Sequence, residues 1–135
     1  MASVVGKWEF VEHEQMDELV AVFPEKKGLS DEMREKARQS QPKYEIERDN
    51  DYWIFRAIMG DFKRETKFKL GEPFQTSTID GRTVTSTVTQ DGEKLVENQD
   101  HPELCSTIVR WVEGDHLIMT ITAKNVTAKV RYRRS

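Results

Sequence analysis

The sequence predicts a mainly β fold, a meander of about ten short strands closed into a barrel, with a pair of helices near its start. Apolar and polar residues alternate in the last three segments, which is the period of a half-buried strand. Hairpin-type turns recur at regular intervals, at Asp80-Gly81, Asp91-Gly92 and Gly114-Asp115. Helical spacing is confined to about residues 14–40. Closure into a barrel follows because it removes the exposed edges of a long meander.

The first third of the chain contains one strand and the helical pair. Residues 4–13 are predicted as a strand, with Trp8 and Phe10 on one face. A first amphipathic helix is predicted from apolar residues at helical spacing, which are Met16, Leu19, Val20 and Phe23. Ser30 is a candidate N-cap for a second helix, whose thin apolar stripe consists of Leu29, Met33 and Ala37. Pro42 ends the helical segment.

Strand and turn patterns continue from Lys43 to the end of the chain, and the last three strands are the clearest. The first of these carries an arginine on one face, with Ser106, Ile108, Arg110 and Val112. The second has a fully apolar face, formed by Leu117, Met119, Ile121 and Ala123. The third alternates in the same way through Val126, Ala128, Val130 and Tyr132. The alternation therefore points a guanidinium and a phenol into a β-rich interior.

Composition narrows the class of protein. The chain has 135 residues, 36% hydrophobic and 33% charged, which suits one domain over residues 1–135 with a modest interior. A net charge of −3 does not favour nucleic acid as a partner. A single cysteine, Cys105, and an N-terminus without a visible secretory pattern predict the cytosol. The histidines and the cysteine have no metal-ligand spacing, so we expect neither a metal nor a cofactor.

A buried guanidinium requires an anion, because burying a lone charge costs several kcal/mol. Arg110 presents a forked donor that matches a carboxylate, and Tyr132 can donate to the same group. The alternatives for Arg110 are an internal ion pair or an outward orientation. A barrel of this many strands is too wide for side chains alone to fill, which predicts a ligand cavity. A collapsed sandwich with a dry core is the alternative.

Five short motifs occur in order over essentially the whole chain. They are Gly6-Lys7-Trp8-Glu9-Phe10, Lys69-Leu70-Gly71-Glu72-Pro73-Phe74, Asp80-Gly81-Arg82-Thr83-Val84, Glu113-Gly114-Asp115-His116-Leu117, and Val126-Thr127 followed by Tyr132. Together they resemble the intracellular lipid-binding proteins, the group of fatty-acid-binding and cellular retinoid-binding proteins. This resemblance implies a ten-stranded, clam-like barrel of lipocalin-like (calycin) architecture, capped by a helix-turn-helix lid. It also implies that a long-chain fatty acid or similar hydrophobic ligand is bound without chemistry.

The resemblance also implies a carboxylate site of two inward arginines and a tyrosine. Arg110 and Tyr132 match two of these positions, but Val130 stands at the third. We therefore expect one charged contact with help from the tyrosine, and no two-arginine clamp. Arg131 is not expected to substitute, because strand alternation turns it outward unless a bulge rotates it.

Other ligand contacts are implied around this polar end. The lid would contribute Met16, Leu19, Val20 and Met33, for which plain helix packing is the alternative. The cavity mouth would contribute Phe62, Ile79, Asp80 and Arg82, although Asp61 can align in place of Phe62 and Asp80 suits a simple turn. The wall would contribute Ile108, Met119 and Ile121, which otherwise serve as core, and Gln99 faces inward in the family register.

The leading hypothesis is a monomeric, non-catalytic carrier of a long-chain fatty acid in the cytoplasm, with the nucleus as a second compartment. A retinoid or another bulky lipid is the alternative ligand, since Val130 leaves room for a larger or less polar head group. The lid could touch membranes transiently, but acidic neighbours offset Arg34 and Arg38, which favours a solvated face.

Three further classes are disfavoured. A secreted lipocalin shares the short Gly6-Lys7-Trp8 pattern, but the chain is short and lacks a cysteine pair. An enzyme would need a histidine placed to activate Ser106, and none is evident. A protein-interaction module without any ligand would be recognised by the failure to extract a lipid.

Overall fold

The computed structural model describes residues 4–15, 43–59, 62–77, 83–102 and 104–135. These residues form ten strands: β1 (Gly6–Glu14), β2 (Lys43–Asp49), β3 (Tyr52–Met59), β4 (Phe62–Lys69), β5 (Phe74–Ser77), β6 (Thr83–Asp91), β7 (Lys94–Asp100), β8 (Ser106–Glu113), β9 (His116–Ala123) and β10 (Val126–Arg134). They belong to one sheet in the order β4-β3-β2-β1-β10-β9-β8-β7-β6-β5. The pairing of β1 with β10 curls this antiparallel sheet into a nearly closed barrel, with β4 and β5 at its edges.

The predicted ten-stranded up-and-down barrel is therefore confirmed. Apart from its first residues, the helical lid predicted for about residues 14–40 lies outside the described residues, as does the turn predicted at Asp80-Gly81. Within the described ranges, no helix has the length and apolar character needed to cross a membrane.

Tight turns join β6 to β7, β8 to β9, and β9 to β10. Gly92, between β6 and β7, and Gly114, between β8 and β9, have φ angles of +63° and +60°, which a residue without a Cβ adopts readily. Between β9 and β10, Lys124 and Asn125 have φ angles of +46° and +67°. Two successive positive φ angles are typical of a type I′ hairpin turn, whose twist matches that of the flanking strands.

The strand register arranges the buried face of β7 to β10 in three rows. Residues paired across antiparallel strands share one face of the sheet. The first row contains Leu95, Arg110, Met119 and Val130. The second contains Glu97, Ile108, Ile121 and Ala128. The third contains Gln99, Ser106 and Ala123. Each row therefore contains at least one polar or charged side chain among apolar ones, which are Arg110 in the first, Glu97 in the second, and Gln99 and Ser106 in the third.

Aromatic residues fill the opposite wall of the barrel. The rings of Phe55 and Phe68 meet edge to face with centroids 4.8 Å apart, and Phe74 stacks on Phe68 at the same distance. Trp8 is 1% exposed, and its indole Nε1 donates to the carbonyl oxygen of Val4 over 3.0 Å. Phe55 of this wall also lies against the guanidinium of Arg110 on β8, with Cζ 4.6 Å from the ring centroid.

Arg131 lies on the outer surface, as strand alternation predicts. It forms an ion pair with Glu12 of β1. A β-bulge at this point leaves Val11 without a partner, since Phe10 pairs with Tyr132 and Glu12 pairs with Arg131. The bulge does not turn Arg131 inward, so this residue does not replace the missing second cation.

Candidate functional site

Arg110 is the central charged group of the barrel interior. Its side chain is 5% exposed and lies on β8, between Leu95 of β7 and Met119 of β9. Its Nη1 donates to Oε1 of Glu97 over 2.9 Å. The anion that Arg110 meets in the structure is therefore a carboxylate of the protein itself. Of the two alternatives to an external anion, the structure shows the internal ion pair.

Glu97 is held by three donors from three strands. Its Oε2 accepts from Ser86 Oγ of β6 over 3.0 Å and from Gln99 Nε2 over 2.9 Å, while Oε1 accepts from Arg110. Ser106 Oγ in turn donates to Gln99 Oε1 over 2.8 Å, which orients the amide. A buried carboxylate with this many donors is fixed in position and favours its ionised form.

Aromatic rings cover the other side of the Arg110 guanidinium. Its Cζ lies 4.6 Å from the ring centroid of Phe55 and 5.7 Å from that of Tyr44. The ring of Tyr44 lies in turn 5.7 Å from that of Tyr132. Cation–π attraction strengthens when water is excluded, so these rings add to the stability of the buried charge. Tyr44 links Arg110 to Tyr132 on the same face of the barrel.

The protonation states follow from this packing. Burial by itself raises the pKa of Glu97, but the charge of Arg110 and hydrogen bonds from Gln99, Arg110 and Ser86 bring it below its usual value. Burial lowers the pKa of Arg110, but the nearby Tyr44 and Glu97 raise it above its usual value. Burial raises the pKa of the Tyr132 phenol, so this hydroxyl stays protonated. Before any ligand arrives, the site is a neutralised ion pair beside a neutral phenol.

The low pKa of Glu97 predicts acid sensitivity of the fold. A carboxyl group whose pKa is lowered on folding stabilises the protein at pH values above its usual pKa of 4.5. This stabilisation is lost as the pH falls through the pKa of the folded state. As the pH falls below 4.5, we expect the unfolding free energy of the native chain to decrease more steeply than that of an Arg110→Met, Glu97→Leu variant. Urea midpoints at each pH test this, with the exposed Glu113→Gln as control. Parallel curves for all three proteins would contradict it.

The structure brings six of the predicted site residues onto the buried face of β8 to β10. Arg110, Met119 and Val130 share one register row, and Ile108 and Ile121 share the next. Tyr132 lies two residues beyond Val130 on β10, paired with Leu117. The backbone of Phe62 begins β4, but its side chain is outside the described part of the structure. The remaining predicted residues lie outside the described residues: Met16, Leu19, Val20, Met33, Ile79, Asp80 and Arg82.

Sequence reasoning missed four of the residues that form or support the ion pair of Arg110 and Glu97. They are Glu97, Ser86, Tyr44 and Phe55. One signal was available, because Gln99 was assigned to the interior and Glu97 precedes it by two positions in the same strand. The sequence carried no comparable signal for Tyr44 and Phe55, which approach from strands distant along the chain.

The guanidinium of Arg110 can bind a polar group besides Glu97. Nε of Arg110 is buried and has no hydrogen-bond partner among the described residues, so its N–H can donate to a further acceptor. Within the described ranges, no group of three His, Cys, Asp or Glu residues is placed to hold a metal ion. A donor of this kind inside an apolar barrel suits recognition of the polar end of a lipid.

Comparisons with known proteins agree with this fold. Residues 1–134 match the family described as lipocalin / cytosolic fatty-acid binding protein family. Fatty acid-binding protein type 2 of Fasciola hepatica is 36% identical over 129 residues, which cover 95% of each chain. The fatty acid-binding protein of Clonorchis sinensis is 34% identical over 99% of each chain. The structure of the Schistosoma mansoni fatty acid binding protein in complex with arachidonic acid superposes with a TM-score of 0.90 at 31% identity, covering 100% of this chain and 98% of that one.

Proposed function

Because this chain belongs to the lipocalin and cytosolic fatty-acid-binding protein family, we propose that it carries a long-chain fatty acid inside its barrel, with the carboxyl end towards Arg110 and Tyr132. The relatives support the ligand class. Those named above are fatty acid-binding proteins, and one of them was solved with arachidonic acid. Each matches this chain over nearly its whole length, so the comparison concerns the entire barrel.

One observation supports the position of the polar end. The Nε donor of Arg110 is buried without a partner among the described residues, in a row with the apolar side chains of Met119 and Val130. An acyl chain lying along Ile108 and Ile121 would bring its oxygen atoms to this donor. Tyr132, two residues from Val130 and with its hydroxyl protonated, supplies a second polar contact.

The protein would bind its ligand without catalysing a reaction on it. The hydroxyl group of Ser106 donates to Gln99 Oε1. The amide of Gln99 is not a base, so it could not activate Ser106 as a nucleophile. Such a carrier would act as a monomer in the cytoplasm. A transient membrane contact through the lid belongs to the proposal as well, although the lid residues lie outside the described part of the chain.

Val130 favours a second candidate ligand, a retinoid or another bulky lipid. It is 3% exposed and occupies the place where the family resemblance implies a second arginine. A valine is shorter than an arginine and carries no charge, so it leaves more space and less positive potential beside Met119. Native mass spectrometry of the purified protein distinguishes the two candidates by the mass of the retained ligand.

Chain-length dependence tests the carrier function directly. Burial of an alkyl chain contributes about 0.8 kcal/mol per methylene, so oleate should displace a fluorescent hydrophobic probe at concentrations at least about a thousandfold below those needed for hexanoate. Retinoic acid in the same assay measures tolerance for a bulky ligand. Equal potency of oleate and hexanoate, or no displacement by any long-chain lipid, would contradict a role as a lipid carrier.

A further inference from the structure

The barrel interior already contains a carboxylate paired with Arg110, the residue to which the carboxyl end of the proposed ligand would bind. Glu97 and Arg110 have side chains 7% and 6% exposed and are joined by a 2.9 Å ion pair. Ser86 and Gln99 complete the coordination of Glu97, and Ser106 orients Gln99. The set draws on three neighbouring strands, so Glu97 is built into the site and is not a mobile surface group.

The Arg110–Glu97 pair has no net charge with which to balance the charge of an ionised ligand. The described residues that face the pair from the other strands are uncharged at neutral pH: Tyr44 on β2, Phe55 on β3, Ser86 and Val88 on β6, Met119 and Ile121 on β9, and Val130 and Tyr132 on β10. His13 of β1 pairs with Val130 but is exposed. An ionised fatty acid would therefore place two carboxylates beside one guanidinium in a water-poor site. Two such groups cannot both stay ionised there, and one takes up a proton.

We propose that Glu97 determines head-group selectivity, so that the barrel binds long-chain lipids whose head group is uncharged in the complex. This inference rests on the proposed carrier function and names the ligand class more closely. A fatty acid is bound together with one proton from solvent, which is shared between its carboxyl group and Glu97. An alcohol, amide or ester of the same chain length is bound without a proton. In each case an oxygen atom of the head group accepts from Nε of Arg110.

The hydrogen-bond inventory supports this class of head group. Arg110 Nη1 is already used by Glu97, whereas Nε still lacks an acceptor among the described residues. The single N–H of Nε matches the single oxygen of an alcohol or the carbonyl of an amide. An end-on carboxylate clamp takes one N–H from each of the two Nη atoms, and Nη1 of Arg110 already donates to Glu97.

Proton uptake is the decisive measurement. Between about pH 6.5 and about pH 8.5 free oleate is ionised, so binding with one proton should weaken about tenfold for each pH unit. Affinity for oleyl alcohol should be constant over the same range. Calorimetric titration in two buffers of different ionisation enthalpy should give about one proton taken up per oleate and none per oleyl alcohol.

Glu97→Gln is the matched test of the residue. This variant should bind oleate at least about tenfold more tightly than the native chain at pH 8, without proton uptake, because the ligand then supplies the only carboxylate. Glu113→Gln removes an exposed carboxylate from β8 and should keep the native pH dependence. His13→Gln should also keep the native pH dependence of oleate binding. This result would show that the imidazole of His13 is not the group that takes up the proton.

The outcomes separate this inference from the proposed function. Oleate binding that is independent of pH and takes up no proton would overturn the role of Glu97 but leave the carrier function intact. Proton uptake that persists in Glu97→Gln, or is lost in His13→Gln, would also overturn it. Failure of both oleate and oleyl alcohol to bind would overturn the carrier function and this inference together. If Glu97→Gln does not fold, the proton count of the native chain still decides.

Discussion

Replacing Arg110 by methionine is expected to lower the unfolding free energy by about 3–5 kcal/mol, since it leaves the carboxylate of Glu97 buried without its cation. Ser86 and Gln99 would still donate to Glu97, but neither carries a charge. The carboxyl group would then take up a proton more readily. Chemical denaturation at neutral pH measures the loss, provided that the slope with denaturant is unchanged.

The double variant Arg110→Met, Glu97→Leu distinguishes a broken pair from a lost contact. Removing both charges together is often neutral for stability, so most of the loss should be recovered. Arg133→Met is the surface control, because Arg133 is 65% exposed and lies 3.8 Å from Glu9. A double variant as unstable as Arg110→Met, or a single variant as stable as Arg133→Met, would show that the buried pair is not coupled as described.

Replacing Trp8 by alanine is expected to destabilise the fold by about 3–5 kcal/mol. The indole is 1% exposed, lies beneath the guanidinium of Arg134 with Cζ 4.2 Å from its ring, and donates to Val4. Truncation removes this buried surface and leaves a cavity that the rigid strands of a barrel cannot collapse to fill. Thermal and urea unfolding of the purified variant measure the effect.

Trp111→Ala is the matched control for the tryptophan. Trp111 is half-buried on β8, where its indole Nε1 donates to the exposed Glu113 over 3.1 Å and Lys94 Nζ lies 4.8 Å from its ring. Its loss should cost clearly less than the loss of Trp8, because water can occupy the vacated surface. Equal destabilisation by the two variants would contradict the central packing role given to Trp8.

Much of the fold could be predicted from the sequence because strands and their turns leave patterns within short segments of the chain. Alternation with a period of two assigned Ile108, Arg110 and Val112 to one face, and that face is the buried one in the structure for Arg110 and Ile108. Turn residues placed the hairpins, and Gly92 and Gly114 have the positive φ angles that such turns require. The ordered motifs supplied the family, which the match over residues 1–134 confirms.

The candidate site was predicted less completely, because its central interaction joins two strands diagonally. Alternation decides which face a side chain takes, but it does not say which residue lies next to it on the neighbouring strand. Glu97 pairs in register with Ile108, but its side chain forms its ion pair with Arg110, two residues further along β8 in the neighbouring row. The interior position of Gln99 was recognised, and applying the same phase to Glu97 would have exposed the ion pair.

The sequence by itself determined the alternation of side chains along the last three strands, the placing of Arg110 and Tyr132 on buried faces, and the valine at position 130. These properties depend on neighbours within one strand, where the backbone geometry is the same for every sequence. Only the tertiary structure decided which anion meets Arg110. The anion depends on the register between strands and on how far side chains extend across it. In this structure Glu97 forms the ion pair with Arg110, and the rings of Tyr44 and Phe55 pack over the guanidinium.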